Sequence, residues 1–342
     1  MKMILKMVLF ILFIFLTAIL LFFIWAGSGI VKSDGLSGIT RLSFKNIEYL
    51  SGSSPIKIMT FNCGYFSGMR NNLPGIPPED FYKKNIDDFY KIASRSGAEI
   101  ICFQEIDLNS RRSHHINQLY CLSEKLGFTN YAFAVNWNKR YLPFPYWPPS
   151  AHFGRMLSSQ SVISKFPISD TGRISLKRPG NPFYYDRFYL NRLIQEVKIK
   201  LGDKNLTILN IHLEAFEKET REVQAEYVLG YFKKTYKNKG PVIILGDFNS
   251  IPPDAPKKNG FADEPDMDYS NDKTIKIFYE EESLKEAYPE NNRNECTYPS
   301  VEPDRKLDFI FYTDRYIKFL KASVLRINSS DHLPVMMEFI LK

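Results

Sequence analysis

Eight polar side chains stand at the ends of short apolar runs or inside one. Asn62 closes the run 58–61, Glu105 the run 100–104 and His212 the run 206–211; Asp247 and Asn249 follow 242–246. Asp308 lies within the apolar stretch 307–312, and Asp331 and His332 precede the stretch 335–341. The set holds two amides, four acids and two histidines. Hard oxygen donors of this kind suit Mg²⁺, which takes one or two carboxylates and keeps waters and a substrate phosphate. No cysteine belongs to the set, so soft-metal chemistry is not indicated. Strand ends hold side chains on a rigid frame, and several such ends can converge on one cleft.

Each residue alone has an ordinary reading. Asn62 caps a turn, Glu105 is a solvated loop acid, His212 is a satisfied core histidine, and 246–249 forms an Asx turn. The run 330–335 starts a strand. Asp308 resists such a reading, because a carboxylate in an apolar strand needs a partner. His332 is the obvious candidate. All of these as simultaneous accidents would be a large coincidence.

The elements that must position these groups alternate. Runs at 56–62, 99–104, 160–164, 192–200, 206–212, 242–245, 307–312 and 335–341 read as strands. Helical spacing marks 81–96, 116–126 and 220–236, with Gly97 and Gly127 as stops for the first two. Interleaved strands and helices imply a layered α/β architecture. Successive strands such as 192–200 and 206–212 imply antiparallel pairing beside βα units, so a sandwich fits better than a parallel sheet.

Composition narrows the field. The chain has 342 residues, 44% hydrophobic and 24% charged, which excludes wholesale disorder. Four cysteines with no CxxC pair exclude a disulfide miniprotein and a zinc ribbon. No solenoid or propeller repeat is present. The net charge of +7 suits an anionic ligand, but a lysine-rich genome produces the same figure.

Residues 7–26 carry no charge and are long enough to cross a hydrocarbon core of roughly 30 Å. Lys2 and Lys6 precede the run and Trp25 sits near its far end, where an indole favours the interface. An uncleaved single-pass anchor is expected over 1–28, with the N-terminus inside and the body outside the cytoplasm. Cleavage at Ala26-Gly-Ser28 would instead release a secreted body. Residues 29–54, rich in Gly and Ser, read as a tether with one short strand, and 55–342 as the folded domain that carries the polar set. No protein partner is implied, and a monomer is expected.

The polar residues in their order resemble the endonuclease/exonuclease/phosphatase superfamily. The resemblance runs through Met59-Thr-Phe-Asn-Cys63, Phe103-Gln-Glu-Ile-Asp107, Asn210-Ile-His-Leu213, Gly246-Asp-Phe-Asn249, Leu307-Asp-Phe-Ile-Phe311 and Ser330-Asp-His-Leu-Pro334. It implies a four-layer α/β sandwich of two packed sheets flanked by helices. It further implies Glu105 as the principal metal ligand, with Asn62 and Asp331 near the metal. Asp247 would orient or deprotonate the attacking water, and Asp308 with His332 would form a carboxylate–imidazole pair. His212 matches the deoxyribonuclease and sphingomyelinase branches and would share the acid role. Asn249, and Arg192 by a weaker match, would bind phosphate. The implied cofactor is Mg²⁺, or Mn²⁺ in its place, and the implied substrate a phosphate ester of lipid or nucleic acid.

Loops must set the substrate. The segment 131–153 is dense in aromatics and proline. It reads equally as a loop packed on the body or as a lip in which Trp137, Phe144, Tyr146 and Trp147 meet lipid or a base. The acidic segment 252–290 reads as a solvated insertion, although acids near a cleft would repel a nucleic-acid backbone.

Overall fold

The protein is described here by a computed structural model covering residues 2–42, 54–71 and 73–342. In chain order the elements are α1 (Lys2–Ala26), β1 (Ser37–Arg41), β2 (Ile56–Asn62), α2 (Glu79–Ser96), β3 (Ile100–Asp107), α3 (Gln118–Leu126), β4 (Asn130–Leu142) and β5 (Gly154–Ser164). They continue as β6 (Ile168–Ser175), α4 (Phe183–Asp186), β7 (Leu193–Leu201), β8 (Lys204–His212), α5 (Lys218–Thr235) and β9 (Val242–Asp247). The last are α6 (Lys276–Tyr279), β10 (Leu284–Glu286), β11 (Asp308–Thr313), β12 (Ile317–Val324) and β13 (Val335–Leu341).

One sheet has seven strands in the order β1-β4-β5-β3-β2-β13-β12; the other has six in the order β10-β11-β9-β8-β7-β6. Two neighbouring pairs are parallel, β2 with β3 and β8 with β9. A long helix follows the first strand of each pair, α2 in one sheet and α5 in the other, as a parallel crossover requires. The remaining pairs are antiparallel. The fold is the expected four-layer sandwich.

Strand periodicity explains the layers. Ile58, Ile100, Cys102, Ile208, Ile243, Leu245 and Ile310 meet between the sheets. Their neighbours Phe61, Ile101 and Phe103 face outward and pack with Phe89 of α2 and Leu122 of α3. Leu209, Val242 and Ile244 do the same with Val228 and Phe232 of α5. With both faces covered, the central strands read as unbroken apolar runs rather than alternating ones.

The three expected helices and eight expected strands are present with shifted ends. The aromatic segment 131–153 differs from a plain loop: its first half is β4, which pairs with β5 along most of its length. β6 and β12 also went unread. Their exposed faces carry Ser169, Asp170, Lys318 and Lys321, which weaken the apolar signal.

The N-terminal segment departs from a free tether. Residues 28–42 run along the edge of β4. β1 pairs with it from Ser37 opposite Ala134 to Arg41 opposite Asn130. The Ile30 N–H donates to Asn138 Oδ1 at 2.7 Å, and Asn138 Nδ2 donates to the Val31 carbonyl at 2.8 Å. The rest of the expected tether, 43–53, lies outside the described residues. α1 is apolar and long enough to cross a membrane, and among its described residues only Ala26 is buried.

Candidate active site

Between the sheets, the inward series on each central strand changes character toward one end. On β8 it reads Leu206, Ile208, Asn210, His212; on β9, Ile243, Leu245, Asp247; on β2, Ile56, Ile58, Thr60, Asn62. β11 runs antiparallel to β9, so Asp308 falls opposite Asp247. Apolar core thus gives way to a layer of amides and then to ionisable groups. In the amide layer Gln104 Nε2 donates to Asn210 Oδ1 at 2.6 Å, and Asn210 Nδ2 donates to Gln195 Oε1 at 3.0 Å. The layer pairs Gln104, Asn210 and Gln195 with one another beneath the site.

Two backbone features complete the floor. Period two would turn Glu105 toward the helices. The β3–β5 register slips between Phe103 and Ile106, and Glu105 takes φ 53°, which sends its side chain into the cleft. A bulge commonly re-aims a side chain in this way. At Gly246 the Ile211 carbonyl comes so close that a Cβ would lie 1.9 Å from it, so only glycine fits ahead of Asp247.

Asp247 is the hub. Its Oδ2 accepts from Asn62 Nδ2 at 2.9 Å, and its Oδ1 from the Asn249 N–H at 2.8 Å. His212 Nε2 stands 3.4 Å and His332 Nε2 3.7 Å from Oδ2. His332 Nδ1 lies 2.9 Å from Asp308 Oδ2, which also accepts from Thr297 Oγ1 at 2.7 Å. The expected Asp308–His332 pairing is therefore present.

Burial raises the Asp247 carboxyl above the usual carboxylate range. Burial works to lower His332, but the Asp308 and Asp247 carboxylates outweigh it and raise the imidazole to about 10. Burial, with Arg192 and His332 nearby, pushes His212 well below its ordinary value. One imidazole is thus charged and the other neutral at pH 7, a split the sequence does not show.

Asp247, Asp308 and His332 lie close enough to share a cation. Their hydrogen bonds mark them instead as a carboxylate–imidazole–carboxylate chain, since Asp308 Oδ2 is taken by both His332 and Thr297. Glu105 fits a hard cation better. Among the described residues its carboxylate accepts no hydrogen bond, and His212 Nε2 is 3.9 Å away. Burial and the nearby Asp331 raise its pKa, while Arg112 and Arg192 oppose them. A bound dication would relieve that crowding of negative charge.

The remaining expected residues reach the same cleft. Asp331 Oδ2 accepts from Asn71 Nδ2 at 3.0 Å, and Asn249 Nδ2 donates to the Leu213 carbonyl at 2.9 Å. Arg192 is buried in the cleft wall, its Nε 3.7 Å from Glu214 Oε2, and among the described residues its Nη1 has no hydrogen-bond partner. All nine expected site residues converge except that Asp308 stands one layer back, behind His332.

Sequence reasoning missed the supports. Arg112 binds Asp107 through Nε and Nη2, each at 3.0 Å, and lies 3.6 Å over the Tyr65 ring. The Tyr298 ring packs on His332 with centroids 4.8 Å apart. Asp263 and Glu264 of the acidic insertion line the cleft and bind Arg305, so that segment is more than a solvated surface. The sequence carries one local pointer to these supports, the arginines at 111 and 112 shortly after Asp107.

A two-sheet sandwich with carboxylates and imidazoles gathered at one end of its strands is the frame of a phosphoester hydrolase. Residues 59–332 match the Endonuclease/Exonuclease/phosphatase family, and the chain belongs to it. Members are hydrolases acting on phosphoester bonds, and this chain is an enzyme of that class.

Several solved structures are similar. An endonuclease/exonuclease/phosphatase from Beutenbergia cavernae is 18% identical, with 84% of this chain and 72% of that one covered and a TM-score of 0.61. The human Nocturnin catalytic domain with bound sulfate anion is 15% identical, covering 92% and 100%, with a TM-score of 0.58. A mannosyl-6-phosphatase from Bacteroides thetaiotaomicron is 17% identical, covering 83% and 99%, with a TM-score of 0.52. At these identities the likeness is one of fold. No curated protein matches the sequence.

Proposed function

We propose that the chain is a divalent-metal-dependent phosphoester hydrolase, held at a membrane by α1, that prefers a lipid or lipid-like phosphate ester to nucleic acid. The observation that carries the chemistry is the Asp308–His332–Asp247 chain facing Glu105 across one cleft. Asp247, fixed by Asn62 and Asn249, positions the attacking water and takes its proton. Charged His332, held by Asp308, donates to the phosphoryl oxygens, where negative charge develops. Neutral His212 directs a hydrogen-bond donor to the same point. Arg192 and Asn249 hold the phosphate. Glu105, with Asp331 and Asn62 beside it, would hold Mg²⁺, or Mn²⁺ in its place, which when bound neutralises charge on a non-bridging oxygen.

Two observations favour a lipid over a polynucleotide. Asp263 and Glu264 line the cleft and would repel a long polyanion, and an α1 that spans a bilayer would keep the body beside it, outside the cytoplasm on the reading supported by the lysines at its start. The test is hydrolysis of sphingomyelin, phosphoinositide and duplex DNA with Mg²⁺, with EDTA, and with Mg²⁺ restored. Turnover lost in EDTA and regained with Mg²⁺ is expected, and Glu105→Ala should abolish the response. Full turnover in chelator would overturn the metal assignment, and rapid DNA cleavage with inert lipids would establish an extracytoplasmic nuclease instead.

A further inference from the structure

One half of the cleft has no use in phosphoryl chemistry. The cavity measures about 590 Å³, and a phosphate fills a small part of it. From the ionic floor it widens along a wall of Trp137, Leu142, Phe144, Tyr185 and Phe188. A wall of this size and apolarity suits a hydrophobic ligand moiety.

That wall is physically joined to α1. The Phe188 ring, which lines the cleft, also packs edge-on against Phe23 of α1 with centroids 5.3 Å apart. Phe183 meets Phe23 at 6.3 Å, and Tyr141 meets Phe22 at 5.7 Å. Arg187 Nη2 donates to the Ile24 carbonyl at 2.9 Å, and Lys139 Nζ to the Gly27 carbonyl at 3.4 Å. With residues 28–42 bound along β4, the end of α1 has a fixed seat beside the cleft.

The outer side of the same strip stands in solvent. Trp147 is 79% exposed, Phe183 78%, Tyr146 63% and Tyr184 58%. Trp147, Phe183 and Tyr184 support no core cluster and do not line the cleft. Exposed aromatics grouped this way mark an interaction surface, and Trp and Tyr favour the membrane interface. The strip is also basic. Arg140 and Lys177 are exposed beside it in sequence, Arg178 and Arg187 are half-buried, and the single acid within 176–190, Asp186, is bound by Arg178.

We propose that this face is a lipid-binding surface continuous with α1. Trp147, Phe183 and Tyr184 seat in the interface of an anionic bilayer. The aromatic wall takes the hydrophobic tail of a phosphate-bearing lipid drawn sideways from that leaflet. The proposal rests on the reading that α1 spans a membrane and that the cleft floor hydrolyses a phosphate ester. It goes further by assigning the tail subsite, the route into it and the charge of the lipid surface.

The test uses the full chain in vesicles of phosphatidylcholine and phosphatidylglycerol. The tryptophan emission lost in Trp147→Phe isolates the Trp147 signal. That signal should be quenched by lipids brominated near the headgroup and shielded from iodide. A Trp147 signal quenched by iodide and untouched by bromolipid would overturn the surface. The paired substitution Phe183→Asp with Tyr184→Asp should lower hydrolysis of vesicle phospholipid by about tenfold or more. Turnover of soluble bis(p-nitrophenyl) phosphate should be unchanged. An equal loss on both substrates, or no loss on either, would overturn the proposal. Shielding of Trp147 by plasmid DNA in place of bromolipid would make the strip a base-stacking surface and overturn it too. If the full chain with Mg²⁺ hydrolyses no phosphate ester, the hydrolase reading fails alone, because the quenching measurement still decides the surface.

Discussion

The floor and the aromatic wall of the cleft are built by opposite means. The floor takes single side chains from β2, β3, β8, β9 and β11, and those of Asn62, Asp247 and Asp308 are pinned by hydrogen bonds inside the protein. The wall comes from the end of β4, the loop after it and the stretch around α4, and its outer members have no polar anchor. Phosphoryl chemistry requires charges fixed to a fraction of an ångström, which sheet ends provide. Recognition of an apolar group needs area rather than direction, so loops and an edge strand suffice. The difference separates a region where small changes stop turnover from one where they change only what is brought to it.

That separation can be broken by experiment. The largest effect should come from Asp247→Ala and His332→Ala. Each should lower kcat on a soluble ester by roughly a thousandfold in a body whose far-ultraviolet circular dichroism still shows it folded. A loss of only a fewfold would move the chemistry away from the floor. Arg112→Ala tests whether the floor is braced from behind. It strands the buried Asp107 carboxylate and should cost about 3–5 kcal/mol in denaturant unfolding of the body. Near-neutral stability would mean that the pair is solvated rather than structural.

The pH profile sharpens the comparison at smaller amplitude. In the proposed mechanism turnover needs Asp247 ionised and His332 protonated. As pH falls through the raised pKa of Asp247, its proton returns, so the acid limb should lie above the ordinary carboxylate range. As pH rises through about 10, His332 loses its proton and the alkaline limb follows. Asp308→Asn removes the largest charge that raises His332, so the alkaline limb should move down, with a tenfold to hundredfold loss in kcat. An unmoved limb would deny the pairing a catalytic role. The smallest effect belongs to the wall's outer side, where Trp147→Ser should change stability by less than about 0.5 kcal/mol and leave soluble-ester kinetics intact. A drop in kcat there would erase the distinction between the two regions.

Much of the floor was legible because it is local. Runs such as 206–212 and 242–247 show their strand character and their polar ends within a few residues, and period two fixes which side chains share a face. The apolar character of α1 and the helical spacing of α2 and α5 are equally local. Residue types also carried weight: a carboxylate inside the apolar strand 307–312 required a partner, and that requirement pointed to His332 before any geometry was known.

Tertiary structure alone decided the rest. Asn62 and Asp247 bond across 185 positions of chain, and no periodicity encodes that distance. The bulge that turns Glu105 into the cleft depends on how β3 pairs with β5, not on the Gln-Glu-Ile sequence around it. Opposite protonation of His212 and His332 follows from which carboxylates and arginines crowd each ring. The seat of α1 on β4 and α4 joins residues more than a hundred positions apart. Sequence sets what each segment is locally; which segments meet is set by the packing of the two sheets and of α1 on the body, and the electrostatics of the site exist only after that packing.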